Sequence, residues 1–220
     1  MRKANFASGE FYHIYNRGVD CRDIFIDHAD FVRFIKSANE FNCPEPVGSL
    51  LENSYGDRRE KTKNGKKLVN IICYALNPNH FHFILEQLEE QGIEKFMHRL
   101  GTGYTMFFNK KYKRSWSLFQ GVFKAIHIDS NEYLLHLSAY VNLNDKIHQL
   151  GGLASKLAIT SLGQYLSNSD YDCLISINKG IISDQFKNTE EYKDFIFDAL
   201  PDLIENKRLK RELDEIYYLE

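Results

Sequence analysis

Apolar residues along this 220-residue chain change their spacing several times, and each spacing predicts an element. Phe11-Tyr12-His13-Ile14-Tyr15 is aromatic and β-branched and reads as a strand, closed by Asn16-Arg17-Gly18. Phe31, Phe34, Ile35 and Ala38 recur at helical spacing, which predicts a helix from Ala29 or Asp30 to about Phe41. Residues 42–66 lose this periodicity and hold Pro44 and Pro46, so they read as an inserted, mobile loop. Leu68 to Leu76 is an apolar strand, Asn77-Pro78-Asn79 a reversal, and His80 to Glu86 the returning strand. Phe96, Leu100, Tyr104 and Phe107 or Phe108 predict a long helix from about Ile93 to Lys111, weakened by Gly101 and Gly103. Phe119 to Ile128 reads as a further strand, and Ser130-Asn131-Glu132 caps a helix from Tyr133 to about His148.

This order is βαββαβ with one helix appended, which predicts an α+β fold: a ferredoxin-like antiparallel sheet with packed helices. Residues 1–150 form the expected catalytic unit. Gly151-Gly152 marks its end, and residues 151–220 form a C-terminal helical extension in which no strand is foreseen.

Composition narrows the class. No apolar run approaches the roughly 20 residues needed to cross a bilayer, and no signal-peptide core follows Met1-Arg2-Lys3. Cys21, Cys43, Cys73 and Cys173 lie far apart, which argues against a zinc ribbon or a disulfide framework and suits a reducing cytoplasm. The net charge of −2 hides an uneven distribution. Lys95 to Lys124 carries seven bases and no acid, and Arg58 to Lys67 carries six bases against Glu60 alone. The segment from Ile181 onward compensates with eleven acids against six bases. A polyanion meets the local field, so DNA or RNA remains an eligible partner.

Candidate chemistry starts at His80-Phe81-His82. Alternation along a strand puts both imidazoles on one face, half of a divalent-metal site. Tyr140 and Asn144 stand four residues apart on the last predicted helix, with Leu137 and Ile147 to seat it on the sheet. Asn144 offers an amide oxygen as third ligand for magnesium or manganese. Tyr140 then lies one turn away as nucleophile toward a metal-polarised phosphodiester. Asp145 is a competing oxygen ligand. Of the thirteen tyrosines, Tyr12, Tyr15 and Tyr104 read as packing. Among the other histidines only His127 is a candidate for the surroundings of the site.

Three segments carry a resemblance. Tyr12-His13-Ile14-Tyr15-Asn16-Arg17-Gly18, Asn77-Pro78-Asn79-His80-Phe81-His82 and Tyr133-Leu134 with Tyr140-Val141-Asn142-Leu143-Asn144 resemble single-tyrosine transposases of the HUH endonuclease superfamily. Within it they are most similar to the REP-associated tyrosine transposases. The likeness spans about residues 8–150, and more weakly Ser161–Leu166 and Glu191–Phe195. It implies a metal site of His80, His82 and Asn144 holding Mg2+ or Mn2+, with Tyr140 as nucleophile. The implied reaction is cleavage and strand transfer on hairpin-bearing single-stranded DNA through a 5′-phosphotyrosine, by a monomer or homodimer in the cytoplasm, associated with the nucleoid. Asp145 stands where the family commonly has proline. Gln120-Gly121-Val122-Phe123 lacks the family's arginine before phenylalanine, and Lys124 is its nearest substitute.

For DNA contact the candidates are Arg17, suited to bidentate phosphate binding, and Arg99, Lys110, Lys111, Lys113, Arg114 and Lys124. Trp116, Tyr112 and Phe119 interleave with the bases in the mixture that stacks single-stranded nucleotides. Two other readings use the same residues: a non-catalytic nucleic-acid-binding module on a ferredoxin-like sheet, and a domesticated transposase serving a host task.

Overall fold

The computed structural model describes residues 5–45, 47, 65–147, 158–166 and 175–217, without the side chains of 209–217. Most of the predicted 42–66 insertion and the Gly151-Gly152 boundary lie outside the described residues.

Five strands, β1 (Phe11–Arg17), β2 (Val69–Asn77), β3 (His80–Gln87), β4 (Lys124–Ile128) and β5 (Ile159–Thr160), form one sheet. Their order is β4-β1-β3-β2-β5 and every pairing is antiparallel. Helices α1 (His28–Phe41) and α2 (Gly92–Lys111) connect the first four strands in the predicted α+β, ferredoxin-like βαββαβ arrangement.

Strand alternation makes two cores. On one face Tyr12, Ile14, Phe81, Phe83 and Leu85 pack with Phe31 and Phe34 of α1 and Phe96, Leu100 and Tyr104 of α2. The residues between them, His13, Tyr15, His80, His82 and Ile84, belong to the other face. There Ile84, Cys73 and Ala75 meet Leu134, Leu137 and Val141 of α3 (Asn131–Asn142). A register irregularity between Ile71 and Cys73 sends Ile71 and Tyr74 to the first core and Ile72 and Cys73 to the second.

The end of the sheet that carries His80 is stitched by backbone bonds. The Ile24 and Phe25 amides donate to Pro78 O at 2.7 and 2.9 Å, and the Gly18 amide to Asn79 O at 2.8 Å. A Cβ at Gly18 would stand 2.2 Å from Arg22 O, so only glycine admits this approach.

Three expectations are corrected. The strand expected at Phe119–Ile128 is only Lys124–Ile128. Gly121 turns at φ +76°, and Phe119 keeps a single bridge to Gly18. The helix expected to run to His148 starts at the Ser130 cap, whose side chain accepts from the Tyr133 amide, but ends at Asn142. A short α4 (Asn144–Ile147) follows. The Asn142 side chain is drawn into a buried network, described below, where the helix stops. Last, β5 pairs Ala75 with Thr160 and Leu76 with Ile159; two residues are too few to show an alternating pattern.

The C-terminal helices are α5 (Leu162–Leu166), α6 (Gly180–Ser183), α7 (Thr189–Asp198) and α8 (Leu200–Tyr217). Tyr165, Ile182, Tyr192 and Ile196 share the second core with α3, so this segment completes the face on which the candidate site lies. Among the described residues no helix is long and apolar enough to cross a membrane.

Candidate active site

His80 opens β3 opposite Arg17 on one side and Asn77 on the other. Two residues on, His82 points to the same face, and the two rings stand 5.1 Å apart at 89°. Above them, α3 brings the Tyr140 ring edge-on to His82 at 5.6 Å. Asn144, at the start of α4, is fully buried and accepts from Asn77 Nδ2 at 2.7 Å. That same nitrogen lies 3.1 Å from His80 Nε2. The four residues expected from the sequence, His80, His82, Tyr140 and Asn144, therefore meet in one place, although a helix break separates Tyr140 from Asn144. Asp145 turns toward Lys146 instead, at 3.5 Å.

Hydrogen bonds fix the His80 tautomer. Its Nδ1 lies 2.6 Å from Asn79 Oδ1, and the Asn79 amide is oriented by donation from Nδ2 to Cys21 O at 3.2 Å. An amide oxygen only accepts, so Nδ1 carries the proton and Nε2 keeps its lone pair. Burial, with the charges of Arg17 and Lys207, lowers the His80 pKa to about 4 against an opposing hydrogen bond with Asn144. His80 is neutral at pH 7, as a ligand must be. Burial pushes the Tyr140 phenol above its ordinary value, and a hydrogen bond with Asn144 draws it partly back.

Sequence reasoning passed over a third histidine. His13 Nε2 lies 2.9 Å from His82 Nδ1, with the two rings stacked 5.1 Å apart at 19°. The Tyr140 ring stands 6.4 Å from it. Burial lowers the His13 pKa to about 4, so it too is neutral. Its signal was present: His13 and Tyr15 alternate with Tyr12 and Ile14 and had to share the histidine face. Tyr15, read as packing, instead stacks on His82 at 5.8 Å. His127, expected near the site, lies elsewhere. Its ring packs at a tilt against Tyr12, on the first-core side of the sheet, and it binds Glu10 at 2.8 Å.

Among the described residues no three of His, Cys, Asp and Glu gather as a metal cluster. The available donors are imidazole nitrogen and amide oxygen. His80 Nε2 and Asn144 Oδ1 converge on a single atom of Asn77, and Asn77 Oδ1 is itself buried without a partner among the described residues. These residues fit a divalent cation that retains several waters, as Mg2+ and Mn2+ do.

The candidate DNA contacts divide into two groups. Arg17 is exposed beside His80, and Lys124 is exposed with its Nζ 5.9 Å from the Tyr15 ring centre. Lys110 and Lys113 are exposed, and Trp116 is 79% exposed. The loop they precede lies at the His80 end of the sheet, since the Gln120 amide donates to Arg17 O at 2.8 Å. Arg114 is half-buried over the Phe108 ring. Arg99 and Lys111 serve the fold instead. Arg99 donates to Cys43 O at 2.6 Å and Pro44 O at 3.3 Å, while Lys111 pairs with Asp27 and Asp30 at 2.7 Å each.

Residues 58–144 match the family model described as "Transposase IS200 like", a likeness in line with the one its motifs led us to expect. It contains His80, His82, Tyr140 and Asn144. Among solved structures, one of a REP-associated tyrosine transposase bound to a REP hairpin is similar at 13% identity and a TM-score of 0.41. The alignment covers 80% of this chain and 98% of that one. No curated protein matches the chain.

Proposed function

We propose that this protein cleaves and rejoins single-stranded DNA bearing hairpins, with Tyr140 as nucleophile and Mg2+ or Mn2+ held by His80, His82 and Asn144. The observation that carries the reading is the gathering of Tyr140 with His82, His80 and Asn144 on the α3 face of the sheet. The transposase match over residues 58–144 supports it as the reaction class. The hairpin substrate rests on the motif resemblance, and a cytoplasmic, nucleoid-associated location follows from that substrate.

The Tyr140 oxygen attacks phosphorus, a phosphorus–oxygen bond forms to the ring, and the bond to the 3′ oxygen breaks. One DNA end leaves as a 3′-hydroxyl and the other stays joined to Tyr140 through its 5′ phosphate. A second 3′-hydroxyl attacking that phosphotyrosine restores the tyrosine and joins the new pair, with no nucleotide cofactor. The bound cation supplies Lewis-acid withdrawal of charge from the phosphate. Tyr140 must lose its proton against the cost of its burial, and the Asn144 hydrogen bond favours that loss. Arg17, two residues along the strand from Tyr15, and Lys124, paired across from it, are exposed bases that hold the phosphate backbone in this reading.

The test uses a labelled hairpin oligonucleotide with Mn2+ on a denaturing gel. Wild type forms a covalent adduct; Tyr140→Phe binds the hairpin and forms none. An adduct with the phenylalanine variant removes Tyr140 from the role. Undiminished cleavage by His80→Ala removes the cation.

A further inference from the structure

We infer that Asn77 is a further cation ligand, whose side-chain amide turns over between a cation-free and a cation-bound arrangement; this rests on the proposed metal site. In the arrangement described, Asn77 Nδ2 is 2.7 Å from Asn144 Oδ1 and 3.1 Å from His80 Nε2. It thus donates toward the very lone pairs a cation would use. Without positive charge there, two acceptors converge on one point, and an NH2 group is what neutral protein chemistry can place against them.

The other end of the same amide is the second observation. Asn77 Oδ1 is buried and has no hydrogen-bond partner among the described residues. A buried unsatisfied oxygen costs stability, and where one persists it calls for a reason. Rotation of the amide by half a turn exchanges oxygen and nitrogen with almost no change of shape. It brings Oδ1 to face Asn144 Oδ1 and His80 Nε2, so that three acceptors and no donor point inward. A cation at that point makes the arrangement favourable.

The spacing suits the exchange. Donors about 2.1 Å from an octahedral ion stand about 3 Å from their neighbours, and the two observed separations, 2.7 and 3.1 Å, bracket that edge. The residue's place is also fixed. Asn77 ends β2 directly opposite His80 in the register and is fully buried, so its amide has little freedom except to turn over.

The test is Mn2+ binding to the full chain, read from the spin-resonance signal of free Mn2+, with thermal unfolding of the metal-free protein alongside. Asn77→Asp keeps an oxygen and loses the donor; it binds Mn2+ at least as tightly as wild type yet unfolds at lower temperature without metal. Asn77→Ala loses both groups and binds about tenfold or more weakly. If Asn77→Asp weakens binding as much as alanine does, or alanine leaves it within twofold, Asn77 is structural only and the inference fails. His80→Ala serves as the reference. If it binds Mn2+ as wild type does, the site itself has been misread, which is a different failure. Should Asn77→Ala not fold, the wild-type Asn77 side-chain amide resonance in a Mg2+ titration decides. A large shift supports the exchange; an unmoved signal at saturation overturns it.

Discussion

The Asn142 amide nitrogen donates to the Tyr192 hydroxyl at 2.7 Å, tying the helix that carries Tyr140 to α7 of the C-terminal segment. The bond belongs to a buried chain: Ser161 Oγ donates to Asn142 Oδ1 at 2.5 Å, and the Tyr74 amide donates to Ser161 Oγ at 3.0 Å. The last turn of α3 is thereby held from below by β2 and from behind by α7. Buried polar networks of this kind are costly when partly broken.

Tyr192→Phe removes only the hydroxyl and leaves the Asn142 nitrogen with a Cys73 sulfur at 3.7 Å as its remaining partner. Such a loss costs about 1–3 kcal/mol. Denaturant unfolding of the variant shows a correspondingly lower midpoint with an unchanged slope. Adduct formation slows because Tyr140 is less firmly placed, while hairpin binding persists. Wild-type stability in this variant would show that the C-terminal segment does not brace the helix.

His13 pairs with His82, and the direction of their hydrogen bond decides whether His82 Nε2 carries a proton or a lone pair. If His13 Nε2 accepts from His82 Nδ1, at the observed 2.9 Å, then His82 Nδ1 carries the proton and Nε2 holds the lone pair a cation would use. His13→Phe keeps a ring in the stack and removes the acceptor. The expected result is cleavage slowed about 10- to 100-fold with hairpin affinity unchanged, measured as a time course of adduct formation. A wild-type rate would place His13 outside the working site.

Much of this arrangement was legible in the sequence because it is periodic. The i, i+2 spacing of His80 and His82 and the i, i+4 spacing of Tyr140 and Asn144 each specify a shared face before any packing is known. What escaped was whatever depends on a neighbour from elsewhere in the chain. Asn77 looks like a turn residue until β3 folds back beside it. Lys111 looks like a free base until Asp30, 81 residues earlier, is found under it. The break after Asn142 is set by Ser161 and Tyr192, which no local pattern announces.

Stability should fall as acid is added, with the sign fixed by two histidines. His13 and His80 each titrate near pH 4 when folded, against an ordinary value of 6.5. The unfolded chain therefore binds more protons between those values. Their contribution is fully present above about pH 6.5, is lost as pH falls toward 4, and changes no further below that. The loss is on the order of a few kcal/mol for the pair, at 1.36 kcal/mol per pKa unit. Urea unfolding midpoints from pH 7.5 to 4 measure it. In the His13→Phe variant the slope with pH is shallower, and an equal slope would contradict the burial-driven shift.

Two neighbouring bases in one cluster should respond differently to removal. Lys111 is bound to Asp27 and to the fully buried Asp30, whose carboxylate also accepts from the Tyr112 hydroxyl at 2.8 Å. Lys111→Met leaves a buried carboxylate without its cation, a loss of about 3 kcal/mol, seen as a lower unfolding midpoint. Hairpin affinity of the folded variant stays near wild type, since this charge is already neutralised. Lys113 is exposed, and Lys113→Ala should leave stability within about 0.5 kcal/mol while reducing the dependence of log Kd on log salt by about 0.7 to 1. Trp116, 79% exposed, presents a ring face for base stacking. Trp116→Ala weakens binding by about 1–3 kcal/mol with little change in the salt slope. Fluorescence anisotropy of a labelled hairpin across a salt series separates the three. A Lys111→Met effect on the slope equal to that of Lys113→Ala would show that its ion pairs open on binding.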